Sequence, residues 1–392
     1  MRYYSIIIKN EAGEIYVPNF NGTPGYSLQS TGTTYSSLYT GASAQQLGGN
    51  NPAAQQIELN IPVTFLHEPG QNAYVRINGI GLGEIQQASN LNNQFIEIYG
   101  GFSKGLPLAN PSQSGLLVRG QIVQAFANWI GTDQTLDIYI VPASSPASTT
   151  GIPGTTLAPA TNQTPANIIF NWSPGQSMQQ AITQALSTAF PNYSVQGSIY
   201  SALVLTGAPE TGFFSTPKQF ADYLNRKSRS LVLGYAPPPA GYPGPANYTG
   251  VCVSFANDTF TIQDGTTAPS TKALTITDLI GQPTWSQAYT IQVTCPMRAD
   301  VSCGDYITLP PTPGITNHSP TNNFNGNSYS KYKAGVVFSG NYMVTAIRHV
   351  GSSRDPNNTS WVTTLDCIAT STTTGIANPV TATQWPSLYT AS

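Results

Sequence analysis

Ile57-Glu58-Leu59-Asn60-Ile61-Pro62-Val63-Thr64 places an apolar residue at every second position, with polar residues and a proline between. Successive side chains of a strand point to opposite faces, so this spacing predicts a half-buried β-strand, and Pro62 predicts a sheet edge or a bulge. Phe95-Ile96-Glu97-Ile98-Tyr99 and Leu136-Asp137-Ile138-Tyr139-Ile140 carry the same period. Met1 to Lys9 reads as a first strand, and Asn10-Glu11-Ala12-Gly13-Glu14 as a hairpin turn after it. Strand patterns at short intervals, with Gly-rich turns between them, point to a barrel or sandwich rather than to βαβ units. One short helical pattern, Leu82 to Leu91, follows Gly79-Ile80-Gly81-Leu82-Gly83.

Past residue 142 the pattern changes. Residues 143–165 are small, polar and rich in Pro and Gly without periodicity, the signature of a linker. Residues 166–234 read as a small α+β domain. Met178, Ile182, Leu186 and Phe190 recur every four residues until Pro191 stops the run. A second helix is expected from Thr216, with Pro217 in the first helical position, Phe220 and Leu224 as its apolar stripe, and Arg226, Lys227 and Arg229 near its end. Ser201 to Leu205 looks like a strand between the helices. Residues 235–249 are a stiff Pro-rich linker. From 250 to 392 strand patterns return at Val251–Phe255, Phe260–Ile262, Tyr289–Val293, Tyr306–Leu309, Tyr342–Val350 and Ser360–Cys367. A polar loop covers about 311–330, and a Thr-rich, partly irregular tail follows 370. The expected fold is mainly β with an inserted α+β module, its β domains lying at 1–142 and 250–392.

Composition narrows the function. The 392 residues include 15 Lys and Arg against 17 Asp and Glu, so 8% are charged where soluble domains average about 25%. A net charge of −2 offers no electrostatic footprint for nucleic acid. With 21 tyrosines and few ions, the surface must be built from Asn, Gln, Ser and Thr. No apolar run is long enough for a membrane-spanning helix, and Ile6-Ile7-Ile8 is too short for a signal peptide, so no stable membrane insertion is expected. Cys252, Cys295, Cys303 and Cys367 show no CxxC spacing and are expected as buried free thiols.

The usual catalytic patterns are missing. His67, His318 and His349 lie far apart and form no HExxH, so no metal site is expected. Gly79 to Glu84 fits neither phosphate-loop spacing and reads as a close-packed bend. A glycosidase would need two carboxylates across a cleft, for which Asp258, Asp264, Asp300 and Asp305 are candidates that spacing cannot bring together. No GxSxG elbow occurs. Arg226-Lys227-Ser228-Arg229 could be a partner-binding patch but reads better as a solvated helix end. No catalytic, cofactor-binding or metal residue is assigned.

Several segments in order carry a resemblance. They are Gly100-Gly101-Phe102, Gly115 to Ile122, Asn128 to Asp133, Asp278 to Trp285, Pro296 to Asp300, Gly304 to Pro310, Arg348 to Gly351 and Ser360 to Thr364. Together they resemble the central baseplate hub protein of long-tailed, especially contractile-tailed, Mu-like bacteriophages. The resemblance implies two tail-tube-like antiparallel β-barrels per chain and a homotrimer whose barrels form a pseudo-sixfold ring. It implies a structural, non-enzymatic role in the virion tail baseplate, assembled in the host cytoplasm. The implied partners are the tail tube or a tube-initiator protein, the central spike, baseplate wedge proteins and the tape-measure protein, with genomic DNA only in transit. Two other readings stand beside it, another tail-tip or receptor-binding virion protein and a cell-wall hydrolase.

Overall fold

Seven residues of one late strand lie against the alternating segment 57–64, and this ladder organises the molecule. A computed structural model describes residues 2–19, 24–39, 49–68, 72–102, 111–142, 167–191, 193–234, 248–256, 259–266, 271–287, 290–309, 340–356 and 360–369. The expected linkers at 143–165 and 235–249, the 311–330 loop and the tail after 370 fall wholly or almost wholly outside them. The N-terminal part contains β1 (Arg2–Lys9), β2 (Ile15–Asn19), β3 (Gly25–Gln29), β4 (Tyr35–Ser36), β5 (Gln56–Thr64) and β6 (Ala73–Asn78). After them come α1 (Leu82–Gln87), β7 (Phe95–Phe102), β8 (Gly115–Ile130) and β9 (Asp133–Pro142). The middle contains β10 (Ile168–Trp172), α2 (Met178–Ala189), β11 (Ser194–Ser198), β12 (Glu210–Phe214), α3 (Pro217–Gly234), β13 (Cys252–Ala256) and β14 (Thr259–Gln263). The C-terminal part contains β15 (Thr271–Ala273), β16 (Thr284–Gln287), β17 (Thr290–Pro296), β18 (Tyr306–Leu309), β19 (Gly340–Ser352) and β20 (Trp361–Ala369).

The chain is mainly β, as expected, but among the described residues its sheets do not close into the two barrels expected. One 15-stranded sheet runs β16-β17-β20-β19-β5-β6-β9-β8-β7-β1-β2-β3, with β18 on β19, β15 on β18 and β4 on β1. The strands that might have closed each half pair across the halves instead, β19 lying on β5 from Ala346↔Thr64 to Ser352↔Glu58. β5 is therefore an interior strand with no bulge in either ladder, against the sheet edge or bulge expected from Pro62. The proline is tolerated because β6 pairs β5 only as far as Asn60, leaving Pro62 with a neighbour on one side alone.

The same unit occurs twice. The strand order β5-β6-β9-β8-β7 is repeated as β16-β17-β20-β19-β18. The long strand of each copy bulges at the matching place, between Ile122 and Gln124 in β8 and between Val344 and Ala346 in β19. The turn that leads into the fifth strand of each copy, β7 and β18, also matches. Asn93 N–H donates to Ile122 O and Ile122 N–H to Gln94 O, while Gly304 N–H donates to Val344 O and Val344 N–H to Asp305 O. Asn93 and Gly304 both take left-handed backbone, at φ 64° and 91°. Asparagine tolerates that region and glycine fits it freely. Gly304→Ala is expected to cost at least about 2 kcal/mol, since its Cβ would strike the Gln263 side-chain amide in a strained conformation. Asn93→Gly should stay within about 0.5 kcal/mol; paired urea titrations check both.

Three cores result. One lies under the first repeat and includes Ile57, Val75, Ile98, Ile138, Met297 and Trp361; another lies under the second and includes Phe65, Ile291, Val293, Ile347 and Leu365. The third belongs to the module, where Met178, Ile182 and Leu186 of α2 and Phe220 and Leu224 of α3 are buried together. Val251, Val253, Phe260 and Ile262 also pack in this third core, because β14 pairs both β13 and, in parallel, β11. Ser201–Leu205 is not a strand; Leu203 and Leu205 are buried there through a single bridge, Val204 to Ser177. Arg226, Lys227 and Arg229 lie in the middle turns of α3, not at its end, because the helix runs on to Gly234.

Candidate functional site

Cross-strand partners share a face, so the ladders define the surface that the continuous sheet turns away from its cores. One row across it is Phe126, Asp137, Arg76, Glu58 and Ser352. The next is Gln124, Tyr139, Tyr74, Asn60 and Val350. Further along come Arg348 with Thr364 and Thr294, then Ala346 with Asp366, Gln292 and Thr284. Both repeats thus contribute to one polar surface, on which three acids meet two arginines.

One ion pair, Arg76 with Asp137, lies on this surface, and Arg348 and Asp366 bond to neutral amides. Asp137 is buried because its oxygens accept from Arg76 Nε at 2.8 Å, from the Tyr74 hydroxyl and from Asn128 Nδ2 at 2.9 Å. The hydrogen bond to Asp137 raises the Arg76 pKa, while burial and the same carboxylate raise that of Tyr74. Arg348 Nε reaches Asn60 Oδ1 at 2.8 Å across the β19–β5 seam, and Gln292 Nε2 reaches Asp366 Oδ1 at 3.0 Å. Tyr74, Tyr139 and Phe126 pack ring to ring with centroids 5.2 and 6.0 Å apart.

Behind this surface the two repeats are locked by a buried joint. Trp361 Nε1 donates to Gly101 O at 2.8 Å, and Met297 N–H donates to Trp361 O at 3.1 Å. Gly351 must lack a Cβ, since one would run into the Trp361 ring. Ala299 N–H donates to Gln113 O at 2.7 Å, and Gln113 Nε2 donates to Asp278 Oδ1 at 2.9 Å. Arg298, 4% exposed, forks onto Asp300 with two bonds of 2.7 Å and lies 3.9 Å from Asp278. Thr363 Oγ1 accepts from Arg298 N–H at 3.0 Å and sits 2.9 Å from His349 Nδ1. The segments around Gly100, Gly115, Asp278, Pro296, Arg348 and Ser360, scattered in the sequence, meet here.

Three of the acids weighed for hydrolysis, Asp264, Asp300 and Asp305, are held by structural hydrogen bonds or ion pairs. Asp264 is a buried structural carboxylate that accepts from Tyr200 N–H, the Tyr248 hydroxyl and Thr266; burial raises its pKa and these hydrogen bonds lower it. Asp300 is committed to Arg298, and Asp305 accepts from Ser302 N–H at 2.9 Å. Asp258 and His318 lie outside the described residues. His67 stacks on Phe65, and His349 is buried. Among the described residues no group of three His, Cys, Asp or Glu could hold a metal ion, and no helix is long and apolar enough to cross a membrane. All four cysteines are buried free thiols; burial pushes Cys252 and Cys295 up to about 12. Glu84, in the Gly79–Glu84 bend, closes the N-terminus of α1 by accepting from Gly81 N–H at 2.6 Å. Lys227 is drawn to Glu210 at 2.5 Å, and Ser228 is buried.

The sequence reading missed the exposed apolar residues of the β8–β9 hairpin, Val123, Trp129 and Ile130; Trp129 is 62% and Ile130 74% exposed. Two large apolar residues directly before the turn Gly131-Thr132 were the signal available.

No family model matches the chain, and no curated protein does. Solved structures do. The neighbours include tail proteins. The 43 kDa tail protein of prophage MuSo2 from Shewanella oneidensis is 9% identical, with 93% of this chain and 96% of that one covered at a TM-score of 0.42. The tail protein from Neisseria meningitidis MC58 is 9% identical, with 82% and 93% covered at a TM-score of 0.39. A chain of the half-lidded Francisella PdpA-VgrG complex is 8% identical, with 94% and 58% covered at 0.37.

Proposed function

We propose that the chain is a structural protein of a virion tail, a homotrimeric baseplate hub that joins a sixfold tail tube to a threefold central spike. The observation that carries this reading is the internal repeat joined edge to edge by the β19–β5 ladder. Three chains of this build present six like units while keeping threefold symmetry, which is what an adaptor between the two symmetries needs. The second face of the sheet, with three acids against two arginines, suits a channel wall, because a strongly basic wall would bind passing DNA. In this reading the tube or its initiator, the spike, the wedge proteins and the tape-measure protein are the partners, DNA passes through, and no residue is catalytic.

Light scattering is expected to give three times the 41.6 kDa chain mass, with rings in negative-stain images. A monomer at micromolar concentration that forms no ring with a spike protein would overturn the reading. A turbidity assay on bacterial cell wall should show no lysis; lysis abolished by alanine at Asp264, Asp300 or Asp305 in a folded variant would favour a hydrolase instead.

A further inference from the structure

The repeat leaves one of its own junctions unmade. In the second repeat, the outer edge of β19 is covered by β18 up to Met343 and, past the bulge, by β5 of the first repeat. In the first repeat, β7 covers the outer edge of β8 up to Gln121, and Asn92 Oδ1 accepts from Ala125 N–H at 2.7 Å. Beyond that, among the described residues, no strand pairs Phe126–Ile130 on this side. The counterpart of β5 in the second repeat is β16, and among the described residues β16 is an end strand of the sheet, paired only to β17. One chain therefore carries a donor edge and an acceptor edge of the kind that its own β19–β5 seam already joins.

We propose that β8 of one copy pairs antiparallel, from Phe126 to Ile130, with β16 of a second copy, and that this head-to-tail ladder is the subunit interface. The register follows from the repeat. Matching the two bulges sets Asn128 on Val350, and matching the β5–β6 and β16–β17 ladders sets Thr284 on Asn60. Val350 stands opposite Asn60 within the chain, so Asn128 of one copy stands opposite Thr284 of the next. Three observations favour a second copy as the occupant. The two edges are complementary by construction, since their equivalents already pair in one chain. The free β8 segment carries exposed apolar side chains, Trp129 and Ile130, where exposed edges are normally protected by charge or proline. The edges differ, so the contact is heterologous and propagates around a ring.

The partner and seam named here rest on the ring reading above, and the experiment separates the two. Asn128→Cys and Thr284→Cys are combined in the full chain, whose native thiols are buried, and oxidised under native conditions. The expected result is covalent linkage between chains, closing into a covalent ring, whereas Gln124→Cys with Thr284→Cys, four residues out of register, does not link. A ring of unchanged mass that fails to link overturns this interface and leaves the hub reading standing. Linked open ladders without a closed ring support the edge pairing and overturn the ring. Absence of both association and linkage overturns the two together. Trp129→Ser, a change at an exposed side chain, supplies a second readout: at least a tenfold weaker association is expected, and unchanged association overturns the proposal.

Discussion

Trp361→Ala is expected to lower unfolding stability by about 4 kcal/mol, much of what a marginal domain possesses. The indole is buried, at 1% exposure, in the core of the first repeat although it opens a strand of the second, and its N–H satisfies Gly101 O. Removing it empties the joint between the repeats and leaves that carbonyl without its donor. Trp361→Phe should cost less, about 2 kcal/mol, because most of the ring volume remains while the hydrogen bond is lost. Gly351→Ala alone should also destabilise, since its Cβ meets the same ring; in the Trp361→Ala background that cost should shrink as the methyl enters the vacated space. Guanidinium titrations of the four proteins measure the coupling, and strictly additive costs would contradict the joint.

A second large effect is expected with pH. His349 faces the core side of β19, its Nδ1 against Thr363 Oγ1, and burial pushes its pKa down to about 4 from the ordinary 6.5. The native ring stays neutral while the unfolded chain takes up a proton below about 6.5. The unfolded state therefore binds more protons between those two values, and stability falls as pH drops through that window. Above it the contribution is complete, and below about pH 4 the loss levels off. At about 1.4 kcal/mol per pH unit the loss is of order 3 kcal/mol. His67 is shifted the same way by burial, whereas the raised pKa of Asp264 acts in the opposite sense. The test is therefore the difference between the native chain and His349→Gln, which keeps a polar group toward Thr363. The difference should be flat above pH 6.5 and slope steeply below it; equal profiles would rule out the buried neutral ring.

The legible part of this fold was local. Period-two alternation located β5, β7 and β9, and apolar strand-forming runs located β18 and β20. The four-residue stripe and Pro191 bounded α2, and Thr216-Pro217 marked the start of α3. Alternation says which residues share a face, but not which strand lies alongside, so open edges and the seam between halves were beyond it. β15 and β16, three and four residues long, are too short to show a period. The joint was equally hidden. Gly101, Asp278, Arg298 and Trp361 lie in the segments that carry the resemblance and Gln113 does not, yet Trp361 meets Gly101 across 260 positions and Gln113 meets Asp278 across 165, separations at which spacing carries no geometry.

The β19–β5 seam also sets a clock. Arg348 and Asn60 are 288 residues apart, so during synthesis at about 5–20 residues per second the first repeat waits on the order of 15–60 s for the strand that completes it. Through that interval an alternating strand with an open backbone edge stands exposed on every nascent chain of a polysome, and neighbouring chains offer the same edge. Such pairing would be between identical segments and hard to reverse. Yield of the soluble protein should therefore depend on elongation rate and on chaperones that cover edges early, and Pro62, which cannot donate from the waiting strand, is placed to blunt that hazard before the native partner arrives.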